Sequence, residues 1–441
     1  MAASVFDSPL YARLFATGEA GRLFSDTATI RAMLLVEGTL AQVQGRLGVI
    51  PELSAAAIHR ASLEIQVDPG AIAEATGQNG VSVPGLVAAF RDEMQAPEHA
   101  QYVHWGATSQ DIIDTGLMLR LRQALTLAET DLRAILSDLG AAAEEHAGLP
   151  MPARTYGQHA TPTTWGAVVA SWGAPLLDAL AALDRLRETS LWVSLSGAAG
   201  TASALGPQAG EMRGQLAAGL GLGDPGRSWH TDRAPILRIL DWQGQVMAAL
   251  AHMATTLVGL TGSDTAEVTL GASGGSSTMP QKQNPVAPSA ILALHSQHSG
   301  LRASLQTASV HQHQRDGAAW FTEWLVLPQI VLGLAAALQH ARTLAAGVAP
   351  QPLRMRANLD QNLGLIHAEA LSFALAELMP RPEAQRVTKA LCQDALRQGT
   401  PLDRLARADY PDLPEDVFDP ARGAGSAARD AMDFAARTQR L

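Results

Sequence analysis

Aromatic residues make up only 5% of this chain, although 47% of it is hydrophobic. A core with so few rings is aliphatic, and the Ala- and Leu-rich segments that supply it are strong helix formers. Cysteine is nearly absent. Cys392 stands alone, so no intrachain disulfide can form, which fits a reducing cytoplasm. No run of Lys and Arg occurs and the formal net charge is −10, so the basic footprint of a nucleic-acid binder is missing. The stretch MAASVFDSPLYARLF has no basic region followed by an apolar run, and no signal peptide is expected in it. A long uncharged stretch, between Asp241 and Asp264, contains Gln243, Gln245 and His252. It reads as a buried bundle helix, and no membrane partner is expected.

What is present is helical pattern. The 441 residues suggest about three domains of roughly 150 residues each. Five long helices are expected, over residues 111–145, 162–188, 235–262, 285 or 288 to beyond 305, and 316–346. In the first, Leu117, Leu121, Leu125, Leu132, Ile135 and Leu139 recur at helical spacing. Pro162 suits the first turn of the second. Pro328 is expected to kink the fifth. Helices of this length imply a bundle. The sequence therefore predicts an all-α chain of three helical domains: an N-terminal unit 1–110, a central five-helix bundle 111–348 and a C-terminal unit 349–441.

Three polar stretches interrupt the pattern, each beside the end of a long helix. HWGATSQDIIDT (104–115) offers Thr108 or Ser109 as a helix cap. Alternatively, Thr108, Ser109 and Gln110 would add donors to the free N–H groups of a helix start and hold an anion. ARTYGQHATPTTWG (153–166) gathers Arg154, Thr155, Tyr156, Gln158 and His159 ahead of a helix. A lone His is often structural, but the cluster points to a site. GGSSTMPQKQNP (274–285) is rich in Gly, hydroxyls and Pro. It is either a solvated linker or a functional loop, and its spacing is not that of a phosphate-binding P-loop.

His295, His298, His311 and His313 have no Cys or carboxylate cluster beside them, so no metal and no cofactor are expected. Arg315 and Asp316 open the fifth helix, where Asp316 suits the helix dipole.

Together, in this order, the polar stretches resemble the fumarase/aspartase superfamily. GSSTMPQKQNP is similar to its signature G-S-S-x-M-P-x-K-x-N-P, a long and specific motif. QRDGAAWFTEW and MRANLDQNLGLIHAEA extend the likeness over most of the chain. SVFDSPLYARLF, FSDTATIRAMLLVEGTLAQVQGRLGVIP and RDGAAWFTEWLVLP most resemble the bacterial 3-carboxy-cis,cis-muconate cycloisomerases.

The resemblance implies a cytoplasmic homotetramer whose active sites draw the three stretches from different subunits. It also implies a small anionic polycarboxylate substrate, and closure of 3-carboxy-cis,cis-muconate to 4-carboxymuconolactone in protocatechuate catabolism. Carried over by motif, Ser276 is the proton-transfer group. Lys282 and Asn284 hold the carboxylate that becomes aci-carboxylate-like. Thr108, Ser109 and Gln110 bind another carboxylate. Thr155, Gln158 and His159 line the opposite wall, with His159 among the catalytic candidates.

The chain departs from relatives in two places. Where amine-eliminating members have His after the R-T pair, this chain has Tyr156, which disfavours an adenylosuccinate-lyase-like, fumarate-releasing enzyme. Gln281 and Gln283 replace the His and Arg usual in the cycloisomerase loop, and Arg154, Arg315 or His104 would have to supply the missing cation. A non-catalytic helical scaffold is the remaining alternative, against which Ser276, Lys282 and Asn284 stand intact.

Overall fold

The computed structural model describes residues 4–271, 274–275, 279 and 282–441. The described residues are predominantly helical. Among the described residues, strand occurs only as three short two-stranded pairs. The five long helices are Ser109–Glu145, Trp165–Ala181, Ala234–Leu260, Val286–Ala308 and Gly317–Gly347. The predicted apolar stripe is inside: Leu121, Leu132, Ile135 and Leu139 are fully buried, and Leu117 and Leu125 nearly so. The last of the five continues through Pro328.

Residues cluster into two compact units whose boundaries fall within these long helices. The first comprises 1–130, 179–247 and 293–339. Its helices Asp26–Arg46 and Glu52–Glu64 cross closely, because small residues meet there. A Cβ on Gly38 would fall 1.9 Å from Ser62 Oγ, and one on Gly45 would fall 2.4 Å from Ala55 Cβ. Arg31 binds the carbonyls of Ser62 and Ile65, which terminate the second helix. The core of this unit is aliphatic: Leu34, Val36, Leu40, Ile58, Leu86 and Ile112, with Phe90 its one fully buried phenylalanine ring among the described residues.

The second unit comprises 131–178, 248–292 and 340–441. Glycine again sets close contacts, since a Cβ on Gly173 would lie 2.1 Å from the Phe434 ring. A satellite cluster of Leu371, Leu375, Leu391, Leu402 and Val417 organises its C-terminal helices.

One expectation fails here. Residues 150–164 do not lead straight into a helix at Pro162. They form an antiparallel hairpin, Pro150–Thr155 against Gln158–Thr164, and the helix begins at Trp165. The turn is Tyr156–Gly157, with φ of 53° and 74°, so both central residues are left-handed as a two-residue hairpin requires. Pro162 needs no N–H in its place opposite Pro152, another residue without one. The helix after it also stops early, and a second one, Leu183–Ser190, completes the predicted span.

Candidate active site

In the first unit the start of the Ser109–Glu145 helix is fixed by one carboxylate. Asp111, wholly buried, accepts five hydrogen bonds: from Ser194 Oγ (3.1 Å), Ser196 N (2.9 Å) and His230 Nε2 (2.8 Å) on Oδ1, and from Thr108 N and Gly197 N (both 3.0 Å) on Oδ2. The Thr108 contact is half of a capping box, with the N3 side chain reaching back to the N-cap amide. The Thr108 hydroxyl faces Arg315 Nη2 at 3.4 Å.

Arg315 is held from two sides. Its Nε donates to Gln110 Oε1 at 2.8 Å and its Nη2 to the Ala198 carbonyl at 3.3 Å, with the Trp320 ring centroid 6.0 Å from its guanidinium carbon. Gln110 is oriented in turn, since its amide donates to the His230 carbonyl (2.9 Å) and to Asp114 Oδ2 (3.2 Å). Among the described residues no carboxylate pairs with Arg315, so its positive charge is balanced only by neutral oxygens.

Below this lies a buried ion network. Arg233 forks onto Asp114 (2.8 and 3.0 Å) and onto Glu323 (3.0 and 2.7 Å), and stacks 4.8 Å from Trp229. Burial works against its charge, yet the two carboxylates more than offset this and hold its pKa above the usual value. Burial pushes the Glu323 carboxyl upward, although Arg233 pulls it the other way. Two acids around one base leave the network short of a cation.

His104 sits at the edge of the same region with φ +64°, a conformation non-glycine residues seldom adopt. Its Nδ1 and Glu37 Oε1 are 2.7 Å apart, and Glu37 is only 2% exposed. Burial disfavours the imidazolium, but the Glu37 charge and hydrogen bond outweigh it and raise the pKa. Glu37 Oε2 has no partner among the described residues.

The second unit carries the other candidates. Arg154 is bidentate to the fully buried Glu267 (2.8 and 2.7 Å), and Asn358 donates to the same carboxylate at 2.7 Å. Its charge is thus already matched, unlike that of Arg315. Its Nη2 also lies 3.3 Å from His159 Nε2. That contact makes Nε2 the acceptor of a neutral ring. Burial first, then the Arg154 charge, lowers the His159 pKa, with Glu267 opposing. Thr155 and Gln158 face each other at the exposed end of the hairpin. In the signature loop Gly274–Gly275 pair with Gln283–Asn284, and Lys282 N donates to Met279 O at 3.0 Å. Lys282 and Gln283 are exposed and Asn284 is half-buried. Ser276 and Gln281 lie outside the described residues.

Residues 21–300 match a family described as lyase. The chain belongs to that lyase family. Its relatives within the lyase family include the 3-carboxy-cis,cis-muconate cycloisomerase of Pseudomonas aeruginosa, 38% identical over 85% of this chain and 83% of that protein. The 3-carboxy-cis,cis-muconate cycloisomerase of Bradyrhizobium diazoefficiens is 35% identical over 91% of this chain and 90% of its own. The crystal structure of the 3-carboxy-cis,cis-muconate lactonizing enzyme from Pseudomonas putida superposes with a TM-score of 0.91 at 33% identity, covering 98% of this chain and 99% of that one. The expected fumarase/aspartase-like, all-α fold is therefore the observed one.

Of the predicted lyase-family residues, Thr108, Gln110 and Arg315 come together in one unit, and Arg154 and His159 in the other. Sequence reasoning passed over Glu37, Asp111, Asp114, His230, Arg233, Glu267 and Glu323. Asp111 and Asp114 carried a usable signal, being two acids one turn apart at the start of a long helix. The partners of the others are 67 or more residues away, beyond the reach of any local pattern.

Proposed function

We propose that the chain closes 3-carboxy-cis,cis-muconate to 4-carboxymuconolactone. The observation that carries this is the uncompensated guanidinium of Arg315, held by Gln110 beside the N-terminus of the Ser109–Glu145 helix, where an anion is favoured by charge and by free N–H groups. A substrate carboxylate would bind there, with Thr108 and Ser109 as donors, Gln110 holding Arg315 in place and His104 adding charge at its raised pKa. Arg315 and His104 would replace the cation missing at Gln281 and Gln283.

In the reaction one substrate carboxylate adds to the conjugated double bond, forming a C–O bond. The displaced electron pair moves onto the carbon beside another carboxylate and is shared with it as an aci-carboxylate. A proton then joins that carbon, so product and substrate are isomers. The nucleophile is ionised at neutral pH and needs no base. The demands are an electrostatic trap and a proton donor. Lys282 and Asn284 would be the trap and Ser276 the donor. Thr155, Gln158 and His159 would line the opposite wall, with Arg154 beneath them.

The same reading makes the protein a cytoplasmic homotetramer of three-domain subunits with shared sites. Exposed apolar side chains at Phe321 and Leu325 support burial against further copies. Loss of ultraviolet absorbance from 3-carboxy-cis,cis-muconate on adding purified protein tests the activity. No change, together with fumarate release from adenylosuccinate, sinks it.

A further inference from the structure

The first unit contains a cavity of about 330 Å³ that the proposed reaction does not use. Its walls are apolar or aromatic at Phe24, Met33, Leu117 and Trp324, and polar at Arg120 and Glu323. Arg120 is unusual there. Its Nη1 donates to Thr29 Oγ1 at 2.9 Å and its guanidinium carbon lies 5.4 Å from the Phe24 ring centroid. Its Nε is buried with no hydrogen-bond partner among the described residues. Burial pushes its pKa down to about 10, with no carboxylate opposing. Glu323 lines the same cavity, but both its oxygens accept from Arg233. Asp26, on the rim, is exposed and makes no ion pair with Arg120 among the described residues.

A desolvated cation without a counter-ion is unfavourable and gains by pairing with an anion. The walls say what kind. Only one cation is unbalanced, and a second negative group would meet Glu323 or Asp26, so the ligand carries a single charge. Apolar and aromatic surfaces surround that charge, so a hydrated phosphate is a poor fit and a ring is a good one. The volume is at the small end for ligand pockets. We propose that this cavity binds a small aromatic monocarboxylate through Arg120.

The site is separate from the Arg315 cradle. Arg120 lies ten residues beyond Gln110 on one helix, about 15 Å along its axis at 1.5 Å per residue. The two are joined by a continuous chain of hydrogen bonds, buried from Glu323 through Arg233 and Asp114 to Gln110 and partly buried at Arg315.

Calorimetric titration of the full-length protein with benzoate, and with benzamide as its uncharged counterpart, tests the assignment. One saturable benzoate site per chain is expected, with benzamide at least tenfold weaker. Arg120→Gln should weaken benzoate at least tenfold. Leu117→Phe, which keeps Arg120 but narrows the cavity, should weaken it too and serves if Arg120→Gln does not fold. Arg315→Gln should leave it unchanged. The proposal is overturned by the absence of saturable binding, by equal affinity for benzamide, or by unchanged affinity in the folded Arg120→Gln or Leu117→Phe protein. Loss of binding in Arg315→Gln with retention in Arg120→Gln assigns benzoate to the catalytic cradle and also overturns it.

Discussion

Arg154 and Glu267 meet through two parallel hydrogen bonds of 2.8 and 2.7 Å, 113 residues apart in sequence, with the carboxylate wholly buried. The pair fastens the hairpin that carries His159 to the segment leading into the signature loop. Glu267→Gln keeps the shape but leaves Arg154 without its counter-charge. Removing one member of a buried pair costs about 3–5 kcal/mol, and the partial exposure of Arg154 favours the lower end. A urea midpoint unchanged from wild type would show that the pair contributes nothing.

His104 has a raised pKa in the fold, so its interaction with Glu37 contributes stability in full below the ordinary His value of 6.5. That contribution is lost as pH rises through the raised value. Glu37→Gln removes the principal opposing influence and leaves burial, so the His104 titration should move downward. Imidazole proton shifts followed by NMR give the measurement, and an unmoved titration contradicts the assignment.

Arg315→Gln should impair substrate capture. A hydrogen bond to a charged group contributes about 1.5–3 kcal/mol, so kcat/KM for 3-carboxy-cis,cis-muconate should fall roughly 10- to 100-fold. Most of that change should appear in KM. Unaltered steady-state kinetics would remove Arg315 from the site.

Lys282 is one of only two lysines, against thirty arginines among the 32 basic residues. A chain so biased toward Arg keeps an ammonium in its signature loop, where a compact point charge differs from a planar fork. Lys282→Arg should therefore lower kcat at least about tenfold despite conserving charge. Wild-type turnover would mean that only the sign of the charge matters.

Ser276→Ala should lower kcat at least about 10²-fold, the low end for loss of a general acid–base group. The proposed sharing of sites between subunits adds a stricter test. Mixed tetramers of Ser276→Ala and His159→Ala chains should recover activity that neither parent has, and their failure to do so counts against the shared site.

Much of this was legible in the chain. Leu121, Leu132, Ile135 and Leu139 announced a buried helix face, and the loop motif announced the family. The hairpin at 150–164 escaped because its register is held by cross-strand bonds and its turn by Tyr156 at positive φ, where Asn or Asp is the usual signal. The anchoring network escaped for another reason. Asp111 and His230 are 119 residues apart, as are Asp114 and Arg233, and only folding brings them to 2.8 Å. Arg154 illustrates the limit in reverse. Its type and place suggested a free cation, and the unforeseen Glu267 had already matched its charge.

Tyr156 stands entirely in solvent at the hairpin tip, in a backbone conformation that costs a non-glycine residue energy. Neither property stabilises the isolated chain. Cross-strand pairing, with Thr155 opposite Gln158, nevertheless sets the backbone path of the tip. Any surface that receives it meets a preorganised shape whose ordering entropy was lost during folding, so little remains to be lost on contact.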